Sequence, residues 1–352
     1  MHNRVRRNSA IHKAFMTGLV LGCLLLPAAR NAQSATTPEG SPPLPLNELK
    51  KELSLVRGKS QPNKSWPRTI SYTFKVYDFK TNSFSREEKT FRLARQPVRI
   101  IPHAVGVAEI LWAICPRERL AAFNEFSADP DFSFIANDVR RRGPVFKSKQ
   151  TELVIGYQPD LVFTVFYSGA EFKEKLRQAK IPYFDLGYFG SIESIKDQIL
   201  LIGSIVGEEA NAQALVSRID TKIAQLKAKI PRGAKPLRVL YYDEGGYIPG
   251  LTSNFNSICS IIGAVNVGAE QGITSWSQVD FETLLKWNPD AIIVPQGSNL
   301  RELLMSNRVL SYAHAVKNNS VQYVPGVYLR VDSQYLLLSA DLLAGVLYAH
   351  KK

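Results

Sequence analysis

The sequence predicts an α/β protein with two Rossmann-like lobes, each with a central sheet, joined by one long rigid helix. The main observation is an internal repeat, because residues 150–163 are echoed by residues 280–293. Each copy starts as a short helix with a glutamate near its beginning, Glu152 or Glu282, and continues through Pro-Asp into an apolar run. Such a run is typical of a buried strand in a parallel sheet. Pro-Asp corners are common, so the matched offset of the glutamates is what favours two similar lobes in tandem.

The second observation is a long apolar stripe between the two repeats. It predicts a helix from about residue 208 to residue 230, about 23 residues and 35 Å long at 1.5 Å per residue. The stripe recurs at helical spacing and consists of Leu215, Ile219, Ile223, Leu226 and Ile230. Pro231 and Gly233 stop this helix.

Pro159 and Pro289 set the end of each repeat helix. A proline ring and its missing N–H cannot continue the helical ladder, and the residue before proline is pushed toward extended geometry. We therefore expect extended backbone at residues 158 and 288.

The remaining elements follow from hydrophobic periodicity and turn residues. In the first lobe we expect a hairpin at 69–79 and 84–93, a strand at 98–101, a helix at 107–114, the first repeat, a helix at 170–178, a strand at 183–186 and a helix at 192–205. In the second lobe we expect strands at 238–242, 291–295 and 321–324 and a closing helix at 334–347.

The chain of 352 residues is long enough for two domains. We assign a signal peptide to 1–34, a flexible linker to 35–67 with one short helix at 46–55, the N-terminal lobe to 68–205, the connecting helix to 206–232 and the C-terminal lobe to 233–352.

The first 34 residues have the features of an export signal, with a basic start and an apolar core from Ala14 to Leu26. That core is too short to span a bilayer comfortably. Cys23 lies in a lipoprotein-like box, but the apolar core continues after it, so lipid anchoring is the less favoured alternative. We expect a periplasmic protein.

Charge and cysteines add further expectations. The net charge of +13 falls to +8 without the five basic residues of the first 34, a balance that favours anionic ligands or surfaces. The run 140–142 of three arginines is expected to be a solvated loop, and export argues against nucleic acid as a partner. Cys115 and Cys259 are expected to be separate buried thiols.

Catalytic and metal motifs do not occur in the sequence. It has no GxSxG elbow, no HExxH, no phosphate-binding loop and no His/Cys cluster at metal spacing. We therefore expect no enzyme, no catalytic residues, no metal site and no cofactor. The alternative is an exported enzyme or a structural surface protein on the same scaffold, because a fold does not fix a function.

Four segments carry a resemblance to a known family: Arg99–Ile101 with Ala108–Leu111, the Glu152 unit with Pro159–Val162, Ile202–Gly207, and the Glu282 unit with Asn288–Asp290. Together they resemble the periplasmic solute-binding proteins of ABC importers for ferric siderophores, haem and cobalamin, over residues 69–350.

The resemblance implies a cleft between two lobes that close only slightly, and a permease dimer in the inner membrane as partner. In the family, one glutamate at the tip of each lobe pairs with permease arginines, and Glu152 and Glu282 match those positions. Glutamates in a first helical turn face free N–H groups and stay ionised. Stabilising their own helices is the alternative role.

The ligand site is expected where strand ends of the two lobes face each other. The candidates are His103, Tyr167, Tyr188, Phe189, Tyr242, Tyr247, Trp276, Tyr328 and Arg330. Aromatic faces suit a flat ligand, and Arg330 could neutralise a carboxylate or catecholate. For each aromatic the alternative is a place in a lobe core or rim, and for His103 a structural role. The charge favours a ferric siderophore or haem, with cobalamin as the alternative.

Overall fold

The computed structural model describes residues 46–54, 66–78, 81, 83–230, 233 and 235–348. The predicted signal peptide and Cys23 lie outside these residues. The first described elements are α1 (Leu46–Ser54), β1 (Arg68–Asp78) and β2 (Ser83–Leu93). Leu49 and Leu53 of α1 are buried in the core, so this helix of the predicted linker packs on the protein.

Strands β1 and β2 form the predicted antiparallel hairpin, with Arg68 opposite Leu93 and Asp78 opposite Ser83. The hairpin packs on the lobe behind it through aromatic rings. The ring centroids of Tyr72 and Phe91 lie 4.5 and 4.9 Å from that of Phe184. Aromatic contacts at these distances stabilise a two-stranded hairpin that would be marginal alone.

The next elements alternate between strands and helices, as expected for parallel sheets. They are β3 (Ile100–Pro102), α2 (Val105–Ile114), β4 (Phe123–Asn124), α3 (Ala136–Arg142), β5 (Val145–Phe146), α4 (Thr151–Gly156), β6 (Leu161–Val165), α5 (Ala170–Gln178), β7 (Tyr183–Leu186) and α6 (Ile192–Val206). Strands β3, β6 and β7 form a parallel sheet in that order, and β4 and β5 form a small parallel pair. All five residues of β6 are buried, which explains its uninterrupted apolar sequence.

Helix α7 (Glu209–Ala228) follows α6 and joins the two halves of the chain. It has 20 residues and stops at Ala228, slightly shorter than predicted. Its buried stripe includes Leu215, Ile219 and Leu226, as the sequence predicts. We call the described chain before α7 the N-terminal lobe and the chain after it the C-terminal lobe.

The C-terminal lobe has a second parallel sheet. Its elements are β8 (Arg238–Tyr241), β9 (Tyr247–Pro249), α8 (Asn254–Ile261), β10 (Val265–Asn266), α9 (Val267–Glu270), β11 (Trp276–Gln278), α10 (Phe281–Trp287), β12 (Ala291–Pro295), α11 (Leu300–Ser306), α12 (His314–Lys317), β13 (Val321–Val324), α13 (Gly326–Leu329) and α14 (Leu336–Tyr348). The sheet order is β10-β8-β12-β13, and β9 pairs with β11 in a separate antiparallel ribbon. The predicted α/β class with two sheet-containing lobes is confirmed.

The repeat is confirmed in atomic detail. The Asp160 carboxylate accepts hydrogen bonds from the backbone N–H groups of Val98 and Arg99 at 2.9 and 2.8 Å. The Asp290 carboxylate accepts from the backbone N–H of Arg238 at 2.9 Å. Each Pro-Asp corner therefore ties the end of its helix to the start of the neighbouring strand.

Two arginines complete the corners. Arg99 donates to the carbonyl of Tyr157 at 2.6 Å, and Arg238 donates to the carbonyl of Asn288 at 2.9 Å. Both carbonyls lie at the C-terminal ends of the repeat helices, where cations are favourable.

The expectation of extended backbone before the prolines was wrong. Gln158 has φ 49° and Asn288 has φ 46°, both in the left-handed region. A left-handed residue terminates a helix by redirecting the chain, and here that requirement outweighs the preference imposed by the following proline.

The buried apolar side chains of the described residues form three clusters. One cluster is confined to the N-terminal lobe and one to the C-terminal lobe, whereas the largest contains residues of both, such as Phe163 and Tyr241. Cys115 and Cys259 are free and buried in the largest cluster, as predicted. Burial raises the pKa of both thiols.

The expectation of a loop at the triple arginine was also wrong, because Arg140–Arg142 form the exposed last turn of α3. Cations are favourable at the C-terminal end of a helix, which accounts for their position. Among the described helices, none combines the length and apolarity needed to cross a membrane.

Candidate ligand site and docking surface

Glu152 lies in the first turn of α4 with its side chain 73% exposed. Its carboxylate accepts a hydrogen bond from Lys175 of α5 at 2.8 Å, and this bond lowers the pKa of Glu152. Gln150 precedes the helix without a side-chain cap. Glu152 is therefore an ionised, accessible carboxylate held beside one lysine.

Glu282 lies at the matching position of α10 and is exposed. The helix start is capped by Asp280, whose carboxylate accepts from the backbone N–H of Thr283 at 2.8 Å. Glu282 forms no ion pair within the described part of the chain. Because Asp280 already serves the helix start, stabilising that start is an incomplete explanation for Glu282.

The strand ends of the N-terminal lobe carry an aromatic group that reaches the C-terminal lobe. The Tyr188 hydroxyl donates to the carbonyl of Thr252 at 2.8 Å, across the two lobes. The Tyr188 ring lies 5.7 Å from Phe166 and 5.6 Å from Phe84 of the hairpin, and Phe166 lies 5.0 Å from Tyr167. We call these four residues the hairpin-side group.

A second aromatic group lies where α13 meets the loop before α3. The ring of Tyr328 is 5.1 Å from that of Phe134 in an edge-to-face arrangement. The guanidinium of Arg330, which is exposed, lies 5.6 Å from the centre of the Phe132 ring. We call these four residues the helix-side group.

His103 follows β3 but is enclosed within its own lobe. Its ring stacks on Phe172 at 4.1 Å, and Nδ1 lies 2.9 Å from the Ser168 hydroxyl. Burial, with a smaller contribution from Lys173, lowers the pKa of His103 to about 4. His103 is therefore neutral at physiological pH and has the surroundings of a structural residue.

Four other candidates are not members of either group. Phe189 and Tyr242 are 7% and 4% exposed and belong to buried apolar clusters. Trp276 is half-buried in β11, with its ring 5.8 Å from that of Tyr241. Tyr247 is half-buried at the start of β9. The candidates that belong to the two groups are thus Tyr167, Tyr188, Tyr328 and Arg330.

Sequence reasoning missed Phe84, Phe132, Phe134 and Phe166. Phe166 directly follows β6, so the strand-end rule that selected Tyr167 would also have selected it. Phe132 and Phe134 lie in a loop with no repeat or strand signal, and Phe84 lies at the start of a predicted hairpin strand rather than after one. Within the described ranges, no group of three or more His, Cys, Asp and Glu side chains could hold a metal ion.

Comparisons with known proteins agree with this architecture. The sequence model of a family described as "Periplasmic binding protein" matches residues 107–328. A cobalamin-binding protein of Halobacterium salinarum is 23% identical over 247 residues, which are 69% of this chain and 66% of that protein. The ferric-anguibactin-binding protein of Vibrio anguillarum is 22% identical over 49% of this chain and 58% of its own length. The alignments thus span less than two thirds of these relatives.

Solved structures share the fold. The periplasmic haem-binding protein HutB of Vibrio cholerae superposes with a TM-score of 0.61 and 21% identity, covering 71% of this chain and 99% of that one. An iron-binding periplasmic protein candidate of Staphylococcus epidermidis gives a TM-score of 0.65 and 20% identity, covering 72% and 100%. The family's sequence model, which matches residues 107–328, covers well over half of the sequence. The chain therefore belongs to the periplasmic binding protein family.

Proposed function

We propose that this protein is the exported solute-binding subunit of an ABC importer. It captures a ferric siderophore or haem between its lobes and delivers it to a permease dimer in the inner membrane. The observation that carries the proposal is the pair of exposed glutamates, Glu152 and Glu282, at matched positions in two structural repeats. Two carboxylates on separate lobes can each accept charge-assisted bonds from an arginine fork.

The proposal includes the organisation of the whole chain. Residues 1–34 direct export, residues 35–67 precede the N-terminal lobe at 68–205, and the connecting helix at 206–232 leads to the C-terminal lobe at 233–352. The protein binds and releases its ligand without chemical conversion, which agrees with a family of solute-binding proteins.

The ligand lies between the hairpin-side and helix-side groups. Tyr167 and Tyr188 offer aromatic faces from one lobe, and Tyr328 and Arg330 offer a ring and a cation from the other side. Rings suit a flat chelate, and the guanidinium suits its carboxylate or catecholate oxygens. Cobalamin is the second candidate, because one relative is named for it.

The docking role is tested by Glu152→Ala combined with Glu282→Ala. We expect transport of the ligand to be lost while its affinity for the purified protein is unchanged, because neither glutamate belongs to the hairpin-side or helix-side group. Glu174→Ala, at an exposed position of α5, is the matched control. Normal transport by the double variant would contradict the docking role.

The ligand class is tested by titrating the protein with haemin, a ferric siderophore and cyanocobalamin while following tryptophan fluorescence. We expect micromolar or tighter binding of haemin or the siderophore, about −8 kcal/mol or better. Tight binding of cyanocobalamin alone would select the second candidate. Binding of none of the three would count against the importer role.

A further inference from the structure

Glu109 is a buried carboxyl on α2 that contacts both lobes. It is 1% exposed. In the N-terminal lobe its Oε1 accepts from the backbone N–H of Phe134 at 2.7 Å and from the Ser133 hydroxyl at 3.1 Å. In the C-terminal lobe the Ser333 hydroxyl lies 2.5 Å from Oε2, and the Gln334 amide donates to the Glu109 carbonyl at 2.9 Å.

A second acid lies beside this contact. The Asp332 carboxyl packs against the first turn of α2 so closely that a Cβ atom on Gly106 would lie 2.3 Å from its Oδ1. Neither Glu109 nor Asp332 has a lysine or arginine partner among the ion pairs of the described residues. A buried acid and a half-buried acid from different lobes therefore meet without a neutralising cation.

The other titratable groups nearby do not supply that cation. Tyr335, directly before α14, faces Glu109, and its hydroxyl bonds to Ser54 of α1. Arg117 acts on Tyr335, but its guanidinium stacks over the Trp112 ring at 4.0 Å. Burial consequently raises the pKa of Glu109 to about 8 and that of Asp332 to about 6.

The contact is continuous with the helix-side group. Phe134, whose N–H bonds to Glu109, also packs on Tyr328, and Ser133 lies between Phe134 and Phe132. On the other side Ser333 lies three residues after Arg330. Glu109 therefore fixes the two loops that bring an aromatic pair and a cation to the lobe boundary.

We propose that Glu109 is a positioning residue whose protonated carboxyl joins the lobes and holds the helix-side group in its ligand-binding arrangement. This inference rests on the proposed function for the identity of the ligand. A neutral carboxyl can share its hydrogen with Ser333 while accepting from Phe134 and Ser133. Loss of the proton leaves two neighbouring like charges, which repel and separate the loops.

The proposal is tested with Glu109→Gln, because a carboxamide keeps the shape and hydrogen-bonding capacity of the neutral acid. Affinity for haemin and for a ferric siderophore is measured from pH 6 to pH 9. In the original protein we expect the dissociation constant to rise about tenfold by pH 9, as the binding-competent fraction falls. Glu109→Gln should remove that rise, and Glu118→Gln on the exposed side of the following turn should keep it. An unchanged pH profile in Glu109→Gln would overturn the proposal.

A measurement without ligand separates this inference from the proposed function. Amide hydrogen exchange of residues 132–135 and 330–335, corrected for its intrinsic pH dependence, should accelerate above pH 8 in the original protein. Glu109→Gln should remove the acceleration, and Asp332→Asn should reduce it. If exchange accelerates but neither chelate binds, the role of Glu109 in joining the lobes is supported and the proposed function is contradicted. If exchange in the original protein does not respond to pH, the proposed role of Glu109 is overturned.

Discussion

Arg119 shows how one buried side chain connects distant parts of the chain. Its guanidinium donates to the carbonyls of Pro97 and Val206 and pairs with Glu208 at 2.8 Å. Arg119 and Glu208 are 8% and 2% exposed. The cost of burying these charges is offset only while both partners are present.

We therefore expect Arg119→Met to lower the free energy of unfolding by about 3–5 kcal/mol, because it leaves the Glu208 charge buried and uncompensated. Urea unfolding followed by circular dichroism measures the loss. Arg177→Met, which removes an exposed pair with Glu174, is the control and should cause no measurable change. A loss for Arg119→Met no larger than that of the control would refute this account.

His103 gives a prediction about pH. Its folded pKa of about 4 lies below the ordinary value of 6.5, so the unfolded chain binds the proton more readily. The unfolding free energy should fall as pH is lowered from about 6.5 to about 4. His103→Asn should flatten this dependence, whereas His314→Asn at an exposed position should not. Urea unfolding at several pH values measures this dependence. An equal change of the unfolding free energy with pH in all three proteins would contradict the prediction.

Individual residues of the site show what the sequence could and could not predict at this scale. Glu152 and Glu282 were predicted because both copies of the repeat have a glutamate at the same offset. The placement of Phe189 and Tyr242 in cores could not be predicted, because residues at strand ends face either the boundary or the interior depending on the packing of later elements. Glu109 was unremarkable in the sequence, since its contacts come from residues more than 20 positions away.

At the scale of elements, the sequence predicted the bounds of several helices and strands correctly. The bounds of α5, β7, β12 and β13 agree with the predicted ranges. Short elements such as β4, β5, β9 and β11 were missed, because two or three residues contain no measurable periodicity. Their pairing depends on strands brought near by the rest of the fold.

The packing of α6 on α7 gives a prediction for one element pair. A Cβ atom on Gly203 would lie 2.4 Å from the Cβ of Ala212 and 3.2 Å from the Glu208 carbonyl oxygen. Gly203→Ala should therefore push the helices apart and lower the unfolding free energy by about 1–3 kcal/mol, despite the better helix propensity of alanine.

The control for that substitution is Gly156→Ala in α4, where no atom lies within 4 Å of the new Cβ. It should leave stability unchanged or raise it by up to about 1 kcal/mol. Both variants are compared in urea. Equal effects would show that close approach does not set the requirement for glycine at 203.

At the scale of the whole molecule, the lobes share more than a connecting helix. The largest apolar cluster contains Phe184 of the N-terminal sheet, Val239 of the C-terminal sheet, Leu53 of α1 and Leu337 of α14. The Glu109 contacts and the Tyr188–Thr252 bond join the lobes at two further places. A shared core and polar junctions couple the unfolding of one lobe to that of the other.

We therefore expect a single cooperative unfolding transition rather than one for each lobe. Trp112 reports on the N-terminal lobe and Trp287 on the C-terminal lobe, so variants that retain only one of these tryptophans can be compared. Their fluorescence transitions in urea should coincide with each other and with circular dichroism, and calorimetric and van't Hoff enthalpies should be equal. Leu53→Ala, which removes a fully buried side chain from the shared core, should shift both reporters together by about 2–5 kcal/mol. Separate midpoints for the two tryptophans would mean that each lobe is held by its own core, and that ligand binding must supply the coupling between them.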